Sequence, residues 1–140
     1  LDDAAVAAIK GRVGDLQNTL ARSMLMDSLH DMAIRGRMSL DAYVQLAAEE
    51  AEREQNFRVL AQLTRSIASV MDTIHRLMPE SSAVLAQRTP MVMELAWRRA
   101  RSATDADRAR LWFDLLVAVS AGEAGQQRLR VCRTCSTAWR

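Results

Sequence analysis

The chain has 140 residues, of which 49% are hydrophobic and only 4% aromatic. This length allows one domain with its own core, and the apolar content excludes a chain that is mainly disordered. The net charge is only +2, so the chain as a whole is neither strongly basic nor strongly acidic. Few Gly and Pro and many Ala, Leu, Met and Arg favour helices, because unbranched side chains keep most of their rotamer freedom there.

The sequence shows no targeting or membrane-spanning pattern. Asp2 and Asp3 stand where a signal peptide would have basic residues, and no uncharged apolar run is long enough to span a bilayer. Two cysteines do not make a disulfide framework. We therefore expect a cytoplasmic protein.

The first predicted helix begins near Asp2 and ends at the turn Arg35-Gly36-Arg37, where glycine suits a C-cap. Apolar residues recur along it at alternating steps of three and four, which is typical of one buried helix face. This face comprises Val6, Ile9, Val13, Leu16 and Leu20.

The second predicted helix runs from about Leu40 to Met78, with Ser39 as its N-cap. Residues 49–56 contain almost no apolar side chains and indicate either a solvated stretch or a break. The remainder keeps heptad spacing, which implies coiled-coil or bundle packing. The predicted oligomer interface comprises Leu60, Leu63, Ile67, Val70, Ile74 and Leu77.

Two shorter helices are predicted in the C-terminal third. Thr89-Pro90 favours a helix start after a connector, because a capping hydroxyl precedes Pro at the first helical position. Residues 104–107 predict the start of the next helix, which ends near Gly122. Its predicted apolar face consists of Leu111, Trp112, Leu115, Leu116 and Val119. Apart from a short possible strand around residues 129–131, no alternating pattern indicates a strand.

These elements predict an all-α fold, an elongated helical bundle with long, partly coiled-coil-like helices. Residues 1–122 would form the bundle. Residues 123–140 would form a short, basic, cysteine-containing C-terminal extension.

Both cysteines, Cys132 and Cys135, lie in the extension as a Cys-x-x-Cys pair. Two thiolates at this spacing can bind one Zn²⁺, but a structural zinc site needs four ligands. The sequence therefore predicts half of a zinc site, to be completed by residues beyond Arg140 or by another subunit. Two free thiols are the alternative, and a metal- or redox-sensing switch is a third reading.

Positive charge is concentrated at the C-terminal end. Residues 98–140 contain nine arginines and four acidic residues, whereas residues 1–97 have a net charge of −3. Arginines beside an exposed aromatic side chain can bind phosphates and stack on a base, although arginines at a helix end can simply complement its dipole. The predicted nucleic-acid-binding residues are Arg98, Arg99, Arg101, Arg128, Arg130, Arg133, Trp139 and Arg140.

The stretches ARLWFDLLVAVSAGE (109–123) and RVCRTC (130–135) together make up about a sixth of the chain. In this order they resemble the zinc-containing FlhC-type subunits of flagellar master regulators. The resemblance implies DNA binding and assigns no residue roles. The second cysteine pair of that family is absent from this sequence, and the middle of the chain does not match.

The sequence thus predicts a non-enzymatic protein that binds DNA or RNA, either a regulator or a small subunit of a nucleoprotein assembly. No phosphate loop, nucleophile elbow or metalloprotease motif is present to indicate an enzyme. The alternative is a helical oligomerisation, scaffold or adaptor module that does not bind nucleic acid. Both readings expect association with further protein subunits.

Overall fold

The computed structural model describes residues 9, 12–79 and 81–120. This part of the chain folds into five α-helices joined by short connections, with no strand among them, so the all-α prediction is confirmed. A short 3-10 turn, Val13–Asp15, precedes the helices. They are α1 (Thr19–Ile34), α2 (Leu40–Arg53), α3 (Phe57–Leu77), α4 (Ala83–Ser102) and α5 (Ala106–Val119).

The turn between α1 and α2 has the predicted form. Gly36 adopts a φ of 70°, and the Arg37 N–H donates to the Met32 carbonyl at 2.8 Å. This hydrogen bond satisfies a carbonyl that the helix end would leave without a partner. Ser39 then caps α2, because its hydroxyl accepts from the Ala42 N–H at 3.4 Å.

The prediction of one helix from Asp2 to Arg35 is wrong within the described residues. Residues 16–18 are not helical, and α1 begins only after Asn18, whose side chain accepts from the N–H groups of Leu20 and Ala21. A side-chain cap competes with continuation of the helix. The predicted apolar face fails at the same place, since Leu16 and Leu20 are 38% and 67% exposed.

The single helix predicted from Leu40 to Met78 is also wrong, because residues 54–56 interrupt it. The interruption lies in the polar stretch for which the sequence allowed a break. Asn56 caps α3 by accepting from the N–H groups of Arg58 and Val59, and the Glu54 carboxylate accepts from the Asn56 N–H at 2.7 Å. The side chains of Glu54 and Asn56 therefore accept from backbone N–H groups that would donate to backbone carbonyls in a continuous helix.

Helix α4 starts earlier than predicted. Pro90 lies inside it rather than at its first turn, although proline gives its helix no N–H donor. The preceding turns are held by tertiary contacts, since Leu85 is buried and Arg88 pairs with Asp41 of α2. Packing thus overrides the start signal that Thr89-Pro90 gives in the sequence.

Helix α3 lies at the centre of the bundle. It packs against α1, α2 and α5, while α4 packs mainly against α5 and also against α2. On α5, the predicted apolar face is buried at Trp112, Leu115, Leu116 and Val119, and Leu111 is partly buried. The core thus places the end of α4 beside the start of α5.

None of the helices in the described part of the chain combines the length and apolar character that crossing a bilayer requires.

Candidate anion-binding cleft

The corner between α4 and α5 is formed by a short connection, residues 103–105. Asp105 caps α5, since its carboxylate accepts from the Arg108 N–H at 2.8 Å. The same carboxylate lies 3.3 Å from Arg108 Nε. Asp105 therefore both starts the helix and orients the first arginine side chain on it.

Arg108 also ties this corner to the break between α2 and α3. Its Nη2 donates to the backbone carbonyl of Gln55, fifty-three positions earlier in the sequence. A second link runs from Arg98 to Glu52, whose charged atoms are 2.7 Å apart. The ends of α2 and α4 and the start of α5 are therefore held together.

A cleft of about 290 Å³ lies between these segments. The volume is near the lower limit of small-molecule sites, so the cleft suits a compact group. Two guanidinium groups, two hydroxyls and an amide provide most of its chemistry. It is lined by Gln55, Arg99, Ser102, Ala103, Thr104, Arg108 and Trp112.

Arg99 lies over the ring of Trp112, with 5.9 Å between its Cζ and the ring centroid. The indole is buried, being 2% exposed, so it provides a fixed platform. A cation over an aromatic face is attracted by the ring's quadrupole, and the N–H groups at the guanidinium edge stay available. No carboxylate of the described residues pairs with Arg99.

Arg98 and Arg101 occupy the outer side of the same helix end. Arg98 is paired with Glu52, and both side chains are about half exposed. Arg101 lies 5.7 Å from the ring centroid of Trp97, which is partly buried. The three predicted arginines on α4 therefore differ in their partners, and only Arg99 reaches the cleft.

The other predicted site residues of the extension fall beyond residue 120, outside the described residues. They include the proposed zinc ligands Cys132 and Cys135, and also Arg128, Arg130, Arg133, Trp139 and Arg140. Among the residues that the structure describes, no group of three or more His, Cys, Asp or Glu side chains is placed to hold a metal ion.

The predicted oligomer seam on α3 lies mostly inside this chain. Leu60, Leu63, Ile67, Val70 and Ile74 are at most 1% exposed and pack in the core. Leu77 is 72% exposed. Of the six residues, only Leu77 is therefore accessible to a second subunit.

Two further ion pairs link helices, and none of their residues lines the cleft. Arg22 binds Glu54 through two hydrogen bonds, of 3.0 and 3.1 Å. Burial alone would raise the pKa of Glu54, but hydrogen bonds from Arg22 and from backbone N–H groups lower it overall. Between α4 and α2, hydrogen bonding by Arg88 lowers the pKa of Asp41.

Sequence reasoning missed Arg108 and Gln55 as parts of the site. Asp105 and Arg108 stand three positions apart at a helix start, a spacing that indicates a local pair. The contact with Gln55 has no such signal, because its partners are far apart in the chain.

The predicted core position of Trp112 is confirmed.

No protein-family model matches the chain, and no curated protein or solved structure gives a significant match. The resemblance to FlhC-type subunits gains no support from these comparisons. The chemistry of the arginine-bearing corner is thus the basis for a functional proposal.

Proposed function

We propose that the protein binds nucleic acid, with the corner between α4 and α5 as one contact surface and the arginines of the C-terminal extension as another. The observation that carries the proposal is the state of Arg99 and Arg101. Each lies over a tryptophan ring, and neither pairs with a carboxylate of the described residues. Both guanidinium groups are therefore held in position, with N–H groups that can donate hydrogen bonds to a phosphate.

The contact would be made mainly to the phosphate backbone. Trp112 is buried and one of its faces is covered by Arg99, so this ring does not provide a stacking surface for a base. Arg98 adds a third charge at the helix end, and its half-exposed pair with Glu52 can be exchanged for a phosphate at little cost. This pattern favours binding with little dependence on base sequence.

Fluorescence polarisation with labelled single-stranded and duplex oligonucleotides tests the proposal on the 140-residue chain. We expect the double variant Arg99→Gln, Arg101→Gln to bind more weakly than the wild type. The matched control is Arg37→Gln, Arg65→Gln, which removes the same charge at exposed positions elsewhere. Equal affinity of the two double variants would contradict a role for the corner.

The second candidate function is that of a helical oligomerisation or adaptor module. Exposed apolar side chains on α1 favour it, since Leu20 is 67% and Met24 61% exposed, one helical turn apart. Light scattering of the wild type and of Leu20→Glu, Met24→Glu tests this candidate. A multimer that the double substitution dissociates, together with no binding of oligonucleotides, would favour the module over nucleic-acid binding.

A further inference from the structure

We propose that the cleft at Arg99 is a binding site for a phosphate monoester dianion. The inference deepens the proposed function, on which it rests, because it gives the cleft a preference for a terminal phosphate over a backbone phosphate. A terminal phosphate of a nucleic-acid strand and a free phosphate or small phosphate ester share this chemistry. The experiment below separates these sources.

The donors that face the cleft match a group with several acceptor oxygens. Arg99 offers the N–H groups at the edge of its planar guanidinium, which suits bidentate binding of phosphate. The side chain of Arg108 uses Nε toward Asp105 and Nη2 toward Gln55, and no acceptor within the described ranges takes the protons of its Nη1. Thr104, which carries a hydroxyl, lines the same space.

The charge balance of the cleft also favours an anion. Arg99 and Arg108 contribute two positive charges; Asp105 pairs with Arg108, and no acidic residue lines the cleft among the described residues. The site therefore keeps a net positive charge of about one at close range. A monoester carries close to two negative charges at neutral pH and has three free oxygens, whereas a backbone diester carries one charge and has two.

Size and rigidity restrict the ligand further. The cleft, of about 290 Å³, has room for a phosphoryl group and for part of the ester attached to it, but not for a large ligand. Arg99 is fixed on the buried Trp112, and Arg108 is fixed by two contacts, so the donors are in place before the ligand arrives. Preorganised donors lose less conformational entropy on binding.

Two experiments on the full chain test the inference. The first is calorimetric titration with inorganic phosphate. The second is a polarisation assay with 5′-phosphorylated, 3′-phosphorylated and hydroxyl-ended forms of one oligonucleotide. We expect inorganic phosphate to bind and a phosphorylated end to increase oligonucleotide affinity by about tenfold, which is the size of effect that one charge-assisted hydrogen bond gives. Arg99→Gln should remove both effects.

Arg37→Gln is the matched control, because it removes the same charge from an exposed position that does not line the cleft. Arg99→Lys keeps the charge and loses the planar fork, and should retain only part of the preference for a phosphorylated end. Circular dichroism shows whether each variant is folded. If Arg99→Gln does not fold, Thr104→Val takes its place in the assays, because it changes an exposed cleft residue in the connection between α4 and α5.

The outcomes separate the inference from the proposed function. One outcome would overturn the inference and leave the proposed function intact. In that outcome the protein binds oligonucleotides equally well with and without an end phosphate, and it does not bind inorganic phosphate. Binding of inorganic phosphate that depends on Arg99, with no binding of any oligonucleotide, would support the cleft as a site for small phosphate compounds and overturn the proposed function. Equal losses of inorganic-phosphate binding in Arg99→Gln and Arg37→Gln would also overturn the inference.

Discussion

The guanidinium of Arg22 and the carboxylate of Glu54 meet where both long predicted helices are interrupted. Arg22 follows the non-helical residues 16–18 and also donates to the Leu16 carbonyl at 2.6 Å. Glu54 lies in the break between α2 and α3 and accepts from the Asn56 N–H. One ion pair, between residues 32 positions apart in the sequence, thus links the two chain interruptions.

Loss of Arg22 is expected to destabilise the protein strongly. The side chains of the pair are only 14% and 8% exposed, so Arg22→Ala leaves a carboxylate buried without its partner. Removing one member of a buried pair costs about 3–5 kcal/mol. Urea unfolding measures the change. Arg35→Ala is the control, because the side chains of Arg35 and its partner Asp31 are 66% and 57% exposed. This pair should contribute less than about 1 kcal/mol. Similar losses of unfolding free energy in both variants would contradict this account.

Glu50 is expected to reduce stability as the pH rises. Burial raises the pKa of this carboxyl above its usual 4.5, and the neighbouring acids Glu49, Glu54 and Asp15 add to the effect while Arg53 opposes it. A carboxyl whose pKa is raised by folding costs no stability below the pKa of the unfolded chain, and its penalty develops as the pH rises through the folded value.

Glu50→Gln removes that ionisation. We expect the variant to gain stability over the wild type at neutral pH, and the gain to shrink as the pH falls toward 4.5. Thermal unfolding at several pH values provides the measurement. Glu94→Gln removes a carboxylate from an exposed position on α4 and serves as control. A gain that does not vary with pH would show that the ionisation of Glu50 is not its cause.

Gly36→Ala is expected to destabilise the turn between α1 and α2. Gly36 has a φ of 70°, and a Cβ atom at this position would have no neighbour within 4 Å. The cost is therefore conformational and amounts to about 1–2 kcal/mol. Gly36→Asn should lose less, because asparagine tolerates the left-handed region. Chemical denaturation should rank the wild type first, Asn second and Ala last; an unchanged midpoint for Ala would exclude this conformational cost.

Local signals predicted the parts of the fold that depend on neighbours in sequence. Ser39 and Gly36 act at a helix start and a helix end as their residue types indicate, and Trp112 lies on the predicted buried face of α5. These features follow from backbone hydrogen bonding and helical periodicity alone. The all-α architecture could therefore be read from the sequence.

Features that depend on distant partners could not be predicted. The heptad pattern on α3 indicates a buried face but does not show whether the covering helices belong to the same chain. Likewise, the cleft requires Arg108 to reach Gln55, and no periodicity relates positions so far apart. The sequence shows that three arginines cluster near the end of α4. That each of them has a different partner, Trp112, Glu52 or Trp97, depends on tertiary packing.

The salt dependence of oligonucleotide affinity tests the proposed function most directly. For the wild type we predict a logarithm of the association constant that falls linearly with the logarithm of salt concentration between about 50 and 200 mM. In Arg99→Gln, Arg101→Gln the slope for a single strand should become shallower by about 0.7 for each arginine removed. An affinity that does not change with salt, or a slope that is the same in both proteins, would contradict phosphate binding at this corner.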